Sequence, residues 1–117
     1  MKFPKHQYIR SPKLLRLVAS LRCQNCESED GVQAAHSNWG GGKGRGIKAD
    51  DNQIAALCQR CHHDVDQGHK LTKAQRQEIW NRAHVRTLHI LQLTGQWPKE
   101  IPFTDQYLRI EGKGADA

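Results

Sequence analysis

Two short runs of sequence, Cys23-Gln24-Asn25-Cys26 and Cys58-Gln59-Arg60-Cys61, decide how this chain folds. In each run a tight turn separates two cysteines, so that both sulfurs are directed toward one position. Two such pairs supply the four thiolates of a tetrahedral Zn²⁺ site. Such a site would join two segments that are far apart in the sequence. We therefore expect a structural zinc ion bound by Cys23, Cys26, Cys58 and Cys61.

Four cysteines could also form two disulfides, and the redox compartment decides between the two interpretations. The apolar stretch nearest the N-terminus, residues 14–19, is interrupted by Arg16 and is too short for the core of a signal peptide. No run approaches the ~20 apolar residues that span a bilayer. In a reducing cytosol, paired Cys-x-x-Cys units are more often metal ligands than disulfides. We expect a cytoplasmic zinc protein without a membrane segment.

Length and charge limit the possible classes of protein. A chain of 117 residues forms one domain, with a modest core that a metal ion would help to stabilise. The formal net charge is +6 and the sequence pI is about 9.4. This balance suits a polyanionic partner such as nucleic acid, although many soluble proteins are mildly basic without one.

Local signals indicate an α+β domain. Ser11 and Pro12 are typical of an N-cap and a first helical position, and predict a short helix to about Leu21. Its buried stripe is expected to be Leu14, Leu15, Val18 and Leu21. Residues 31–36 predict a strand that ends at His36, and residues 53–57 predict a second strand that enters Cys58.

Two further helices are predicted after the second cysteine pair. A short one runs from His62 to Gln67 and is ended by Gly68; on it, His62 and Asp66 are four residues apart and share one face. A long one begins with a capping box and ends near Gly95. Its capping residues are Thr72 and Gln75, and its core stripe is Trp80, Ala83, His84, Thr87, Leu88 and Leu91. Residues 95–117 are expected to form a partly flexible tail, which leaves 11–94 as the core.

A glycine-rich loop lies between the two strands. It carries Lys43, Arg45 and Lys48 among small residues, so a phosphate backbone could approach these cations closely. The alternative is a plain flexible linker. Beside a candidate nuclease centre, the three cations favour contact with DNA.

As a set, several motifs of this chain resemble those of the HNH nucleases, and within them the YbcO-like family of small prophage-encoded nucleases. The resemblance covers about residues 14–91. It depends on Cys23-x-x-Cys26, Ala35-His36, the loop from Gly42 to Asp51, and Ala56-Leu57-Cys58-x-x-Cys61-His62-x-x-x-Asp66. It implies a ββα-metal core with flanking helices, in which two antiparallel strands and a helix surround one catalytic metal ion, in a bacterial or phage-encoded protein.

The resemblance also implies roles for individual residues. His36 matches the general base at the end of the first strand, and His62 and Asp66 match metal ligands on the helix. Asp51 or Asn52 matches the polar residue that orients the base. The four cysteines match the structural zinc site of one branch of the superfamily.

Two positions depart from the HNH pattern. Ala35 stands where many members have a further metal ligand just before the base, and Asp50-Asp51-Asn52 stands where an asparagine is usual. The catalytic ion would then have fewer protein ligands, or would take its third ligand from His36 or from an aspartate.

The residue types suit phosphodiester hydrolysis independently of the resemblance. A neutral imidazole can take a proton from an attacking water, and a divalent ion bound by nitrogen and oxygen ligands can stabilise the departing oxygen. Mg²⁺, Mn²⁺ or Ni²⁺ would suit such a site. We therefore expect a metal-dependent DNA endonuclease. The alternatives are a non-catalytic zinc module that binds nucleic acid and a zinc-containing protein-interaction domain; the sequence leaves the oligomeric state open.

Overall fold

The computed structural model describes residues 9–37, 50–67 and 70–103. In this part of the chain, three helices and a two-stranded antiparallel sheet form the α+β arrangement that the sequence predicted. The elements are α1 (Pro12–Ala19), β1 (Val32–His36), β2 (Ile54–Cys58), α2 (Gln59–Gln67) and α3 (Lys73–Leu93). The three loop cations, Lys43, Arg45 and Lys48, lie outside the described residues, as does Gly68. None of the described helices combines the length and apolarity needed to cross a membrane.

The antiparallel register connects the two regions that the sequence singled out. His36 at the end of β1 pairs with Ile54 at the start of β2, and Val32 pairs with Cys58. Every residue of β2 is buried. The strand therefore begins opposite the candidate base and ends at a candidate zinc ligand.

The side chains of β2 contribute to two apolar clusters. Ala55 and Leu57 pack with Trp80 and Val65 in one cluster. Ile54 and Ala56 belong to the other, whose further members are Leu14, Val18, Leu88, Leu91 and Ile101. Burial of each large side chain contributes about 1.5–3 kcal/mol, so β2 is held from both directions by apolar packing.

Polar side chains of α3 cover the open edge of β2. His84 donates a hydrogen bond from Nδ1 to the Ile54 carbonyl at 2.7 Å, and Thr87 Oγ1 accepts one from the Ala56 N–H at 3.0 Å. Both side chains are fully buried. They satisfy backbone groups that a two-stranded sheet would otherwise leave without partners, and they close an edge that could pair with another strand. The predicted core positions of α3 are all buried, and two of them have this polar function.

The predicted caps of α1 and α3 are present. Ser11 caps α1 and Pro12 opens it, and Thr72 and Gln75 form the expected capping box. Gly95 has a φ of 72° just after α3, as suits a helix stop.

The prediction for α2 was wrong at its start, because the helix begins at Gln59 and not at His62. Cys58 Sγ accepts a hydrogen bond from the Cys61 N–H at 3.5 Å, in the manner of an N-cap side chain. The second Cys-x-x-Cys turn is therefore already the first turn of the helix. Helix α1 ends two residues earlier than predicted, at Ala19.

The segment after α3 folds back onto the core. Ile101 is buried in the same cluster as Leu88, and Trp97 donates from Nε1 to the Ile101 carbonyl at 2.9 Å. The Trp97 and Phe103 rings meet edge to face at 5.0 Å. Residues as far as 103 therefore belong to the packed domain, and the remainder of the predicted tail lies outside the described residues.

Candidate metal centre and candidate active site

The four cysteines converge on one position. All four are free thiols, and their sulfurs lie within 4.8 Å of one another. Cys26 Sγ and Cys58 Sγ are 3.6 Å apart. Four thiolates around one Zn²⁺, at about 2.3 Å each, would be separated by about 3.8 Å. The cluster therefore fits a tetrahedral metal ion and could hold one such as zinc.

The first cysteine turn is held in place by the backbone around it. The Cys23 N–H donates to the Ser28 carbonyl at 2.9 Å, and the Glu27 N–H donates to the Cys23 carbonyl at 2.8 Å. The Gln24 N–H reaches across to the carbonyl of Ala56 in β2 at 2.9 Å. The turn is thus joined to the strand that carries Cys58 by protein contacts as well as by any metal ion.

The thiols of the cluster differ in acidity. Burial tends to raise the pKa of Cys23, but hydrogen bonds from the backbone of Cys26, Cys58 and Asn25 outweigh it and lower the pKa from 9.0 to about 6. Burial raises the pKa of Cys61 from 9.0 to about 12, with the Asn25 side chain opposing and the other sulfurs adding to the increase. The Cys23 thiol therefore ionises more readily than that of Cys61, because its hydrogen bonds from backbone N–H groups stabilise the thiolate.

His36 is paired with a buried carboxylate. Its Nε2 lies 2.8 Å from Asp51 Oδ1, and the His36 side chain is 16% exposed. Asp51 Oδ2 accepts a hydrogen bond from the backbone N–H of Ser11 at 2.7 Å, and Arg10 Nη1 is 3.7 Å from Oδ1. The start of α1 therefore fixes the carboxylate, and the carboxylate fixes the imidazole.

Asp51 and Asn52 have different partners, although the sequence left open which of them would contact His36. Asn52 is buried and donates from Nδ2 to the carbonyl of Pro102 at 2.9 Å. Its Oδ1 is buried with no hydrogen-bond partner among the described residues. Asp51 therefore makes the contact with His36, while Asn52 attaches the C-terminal segment to the core.

The pairing with Asp51 determines which nitrogen of His36 is available. A carboxylate accepts hydrogen bonds, so in the neutral ring the proton is on Nε2 and the lone pair is on Nδ1. Within the described residues, Nδ1 has no hydrogen-bond partner. In the neutral ring, Nδ1 of His36 is therefore the nitrogen whose lone pair can accept a hydrogen bond.

His62 and Asp66 form a second pair on α2. His62 Nε2 is 3.0 Å from Asp66 Oδ2, and both side chains are 27% exposed. The other ring nitrogen, Nδ1, is 2.7 Å from Gln33 Oε1 on β1. Gln33 fixes the ring orientation, as a hydrogen bond to the far ring nitrogen does in many metal-binding histidines. Spacing along the helix predicted that His62 and Asp66 share a face, whereas no signal in the sequence indicated Gln33.

The predicted ligands of the catalytic ion do not meet in one cluster. In the described parts of the chain, the four cysteines are the only group of three or more potential ligands close enough to hold one ion. His36 is joined to Asp51, and His62 is joined to Asp66. The assignment of all three to one catalytic ion stays a prediction.

Arg10 and Ser11 are site residues that sequence reasoning missed. Both contact Asp51 from 40 or more positions away in the chain, so no local pattern relates them to His36. The one available signal was the N-cap role of Ser11, which predicted the start of the helix but not the contact of Ser11 with Asp51.

Comparisons of the chain with protein-family models, with curated protein sequences and with solved structures found no match.

Proposed function

We propose that this chain is a metal-dependent DNA endonuclease in which His36 is the general base of a ββα-metal site. The observation that carries the proposal is the His36–Asp51 pair, with Nδ1 of His36 available within the described residues. The order β1, β2, α2 supports it, since His36 ends β1 and the His62–Asp66 pair lies on α2. Sequence resemblance to the HNH nucleases adds to this support.

In this proposal, His36 takes a proton from the water that attacks a backbone phosphate. Asp51 holds the ring in the tautomer that leaves Nδ1 unprotonated, and its charge stabilises the imidazolium that forms. A positioned base of this kind contributes about 10²–10⁴-fold to a rate. Arg10, 40% exposed and next to Asp51, would bring a cation toward a phosphate bound at His36.

His62 and Asp66 would hold the divalent cation, and Gln33 would keep the imidazole of His62 turned toward it. When bound, an ion such as Mg²⁺, Mn²⁺ or Ni²⁺ would supply positive charge to the scissile phosphate and its leaving oxygen. Two protein ligands leave open positions for water and phosphate, which suits a catalytic site more than a structural one.

The remaining parts have supporting roles. Zinc at the four cysteines would hold the start of α2 against β2, and so would fix His62 relative to His36. The net charge of +6 and the three loop cations, Lys43, Arg45 and Lys48, favour DNA as the partner. Free thiols in a metal-binding arrangement suit the cytoplasm of a bacterial cell, in keeping with a prophage-encoded enzyme.

Nicking of supercoiled plasmid tests the proposal. We expect cleavage by the wild type in at least one of Mg²⁺, Mn²⁺, Ni²⁺ or Zn²⁺, and a reduction of about 10²–10⁴-fold in His36→Ala with zinc content and fold retained. His63→Ala is the matched control, because His63 is exposed and adjacent to the second pair. Cleavage at the wild-type rate by a folded His36→Ala protein would refute the role of the base.

One observation favours a second candidate, a non-catalytic zinc-dependent module that binds nucleic acid. Among the described residues, no third ligand joins His62 and Asp66, and Ala35 provides none. Salt-sensitive DNA binding without cleavage in any of the four metal ions would select this second function.

A further inference from the structure

In each Cys-x-x-Cys turn, a backbone N–H of the turn donates a hydrogen bond to the sulfur of the first cysteine. The Cys26 N–H donates to Cys23 Sγ at 3.4 Å, and the Cys61 N–H donates to Cys58 Sγ at 3.5 Å. These hydrogen bonds are local, because donor and acceptor are three residues apart. They leave the second sulfur of each turn, that of Cys26 and that of Cys61, without a donor from its own backbone turn.

The second sulfur of each turn receives a side chain from the opposite turn. Asn25 donates from Nδ2 to Cys61 Sγ at 3.3 Å. The Arg60 side chain of the opposite turn lies beside Cys26, and this contact raises the pKa of the guanidinium, with the charge of Cys26 and the other cysteine sulfurs adding to the increase. Asn25 and Arg60 occupy the same position, the third residue, in their respective Cys-x-x-Cys runs. The two turns therefore exchange donors reciprocally.

We propose that Asn25 and Arg60 are a reciprocal pair of positioning residues that retain the metal ion by binding the sulfurs of the opposite turn. The proposal does not depend on nuclease activity. Four thiolates around a divalent ion carry a net charge of −2, and a hydrogen bond to a thiolate disperses part of that charge. Since each donor crosses from one turn to the other, it also opposes the separation of the turns that must precede loss of the ion.

The two donors differ in charge, and this difference makes the proposal testable in a second way. Arg60 is an exposed cation, so salt should screen its attraction to the cluster. The Asn25 amide is neutral and its contact with Cys61 is partly buried, so salt should have little effect on it. A general loosening of the turns would not separate the two residues in this way.

The test measures zinc affinity of the full-length protein by competition with a chelator. Asn25→Ala and Arg60→Ala should each weaken zinc binding by roughly 10- to 100-fold. Gln24→Ala and Gln59→Ala are matched controls, because they alter the neighbouring position in the same turns. Gln24 donates to the Arg22 carbonyl and Gln59 is exposed, so both controls should bind zinc like the wild type.

Two further readouts identify the mechanism. The deficit of Arg60→Ala should shrink between low salt and about 1 M salt, where the Debye length is about 3 Å, whereas that of Asn25→Ala should persist. In the Co²⁺-substituted protein, loss of either donor should move the sulfur-to-cobalt charge-transfer band to lower energy, because the thiolate becomes the better electron donor.

Several results would overturn the proposal. Zinc affinity equal to that of the wild type in both variants would do so, as would equal losses in the two glutamine controls. Truncation of exposed Arg60 opens no cavity, so an Arg60→Ala protein that stays unfolded in excess zinc would count against a role limited to binding sulfur. A salt-independent deficit in Arg60→Ala would exclude the charge as its cause.

Discussion

The cysteine cluster and the candidate active site are built from similar parts but are arranged differently. In the cluster, four potential ligands from two distant turns meet within 4.8 Å. In the candidate active site, the potential ligands form two separate pairs, His36 with Asp51 and His62 with Asp66. The four cysteines can surround one ion by themselves, whereas, among the described residues, neither pair has a third ligand beside it.

This difference corresponds to the different requirements of a structural and a catalytic metal site. A structural metal site has all its ligands from the protein, and a catalytic one keeps positions open for water or substrate. The two regions are connected by β2, which pairs with His36 at its first residue and supplies Cys58 at its last. Changes in either region, or in the strand between them, should therefore separate stability from activity.

The largest expected effect is at the cluster. Cys58→Ser should lose the metal ion and with it cooperative unfolding, since structural zinc contributes on the order of 10 kcal/mol and a whole domain is stable by about 5–15 kcal/mol. Zinc content and chemical denaturation measure both effects, with Ala19→Ser, at an exposed position of α1, as the control. A metal-free Cys58→Ser protein that still unfolds cooperatively would show that the cysteine cluster is not needed for folding.

Asp51→Asn should abolish most activity while the cluster stays intact. If Oδ1 of the asparagine accepts the Ser11 N–H, its amide must donate to Nε2 of His36, and the proton of the ring moves to Nδ1. The base is then in the wrong tautomer, and cleavage should fall by about 10²–10⁴-fold, as in His36→Ala. Plasmid nicking gives the rate and nitrogen chemical shifts of the ring give the tautomer. An active enzyme with the altered tautomer would contradict the assignment of Nδ1.

Acid should lower the free energy of unfolding through His84, which hydrogen-bonds the strand that connects the two regions. Burial lowers the pKa of His84 from 6.5 to about 4, with its hydrogen bond to Ile54 opposing. Above pH 6.5 the ring is neutral in both states; as the pH falls from 6.5 toward 4, the unfolded chain takes up the proton first. Unfolding free energy should therefore fall by up to about 3 kcal/mol across that window.

A His84→Asn variant isolates this effect. Asparagine can still donate to the Ile54 carbonyl but does not titrate, so the pH dependence of its stability should be shallower than that of the wild type. Both proteins lose zinc thiolates to acid alike, and the difference between their profiles from pH 4 to 7 therefore reports His84. Two parallel profiles would mean that His84 does not titrate on unfolding.

A smaller effect is expected at the second pair. Gln33→Ala releases the Nδ1 side of His62, so the affinity of the His62–Asp66 pair for Mn²⁺ should fall by about 10- to 100-fold. Titration calorimetry on protein that retains its zinc measures this affinity, and Gln92→Ala, at an exposed position of α3, is the control. Unchanged Mn²⁺ binding would leave the Gln33 contact without a role in metal binding.

The smallest effect concerns DNA affinity. If Arg45 in the glycine-rich loop neutralises one phosphate, Arg45→Ala should make the slope of log affinity against log salt shallower by roughly 1. Binding assays from low to moderate salt measure the slope. Arg82→Ala is the control, because Arg82 is paired with Glu78 on α3 at 2.7 Å. An unaltered slope would leave the loop as a linker.

Local patterns predicted much of the fold. The Ser11–Pro12 start, the capping box of Thr72 and Gln75 and the buried stripe of α3 were confirmed, because each depends on residues within a few turns of one helix. The early start of α2 was missed, since a cysteine sulfur is not expected in the place of a capping oxygen. The candidate site was predictable only in its residue types. Whether Asp51 or Asn52 would contact His36 could not be predicted, because the outcome depends on distant segments. The start of α1 contacts Asp51, and the segment after α3 contacts Asn52.

The sequence by itself determined that each Cys-x-x-Cys turn would direct two sulfurs toward one position and that His62 and Asp66 would share a helix face, because spacing along the chain controls both. The tertiary structure alone decided that Asp51 is held by Ser11, that Gln33 orients His62 and that Asn25 reaches Cys61. These partners are 29 to 40 residues apart. Side-chain contacts over such separations follow from the way in which the helices pack on β2, and no local rule encodes that packing.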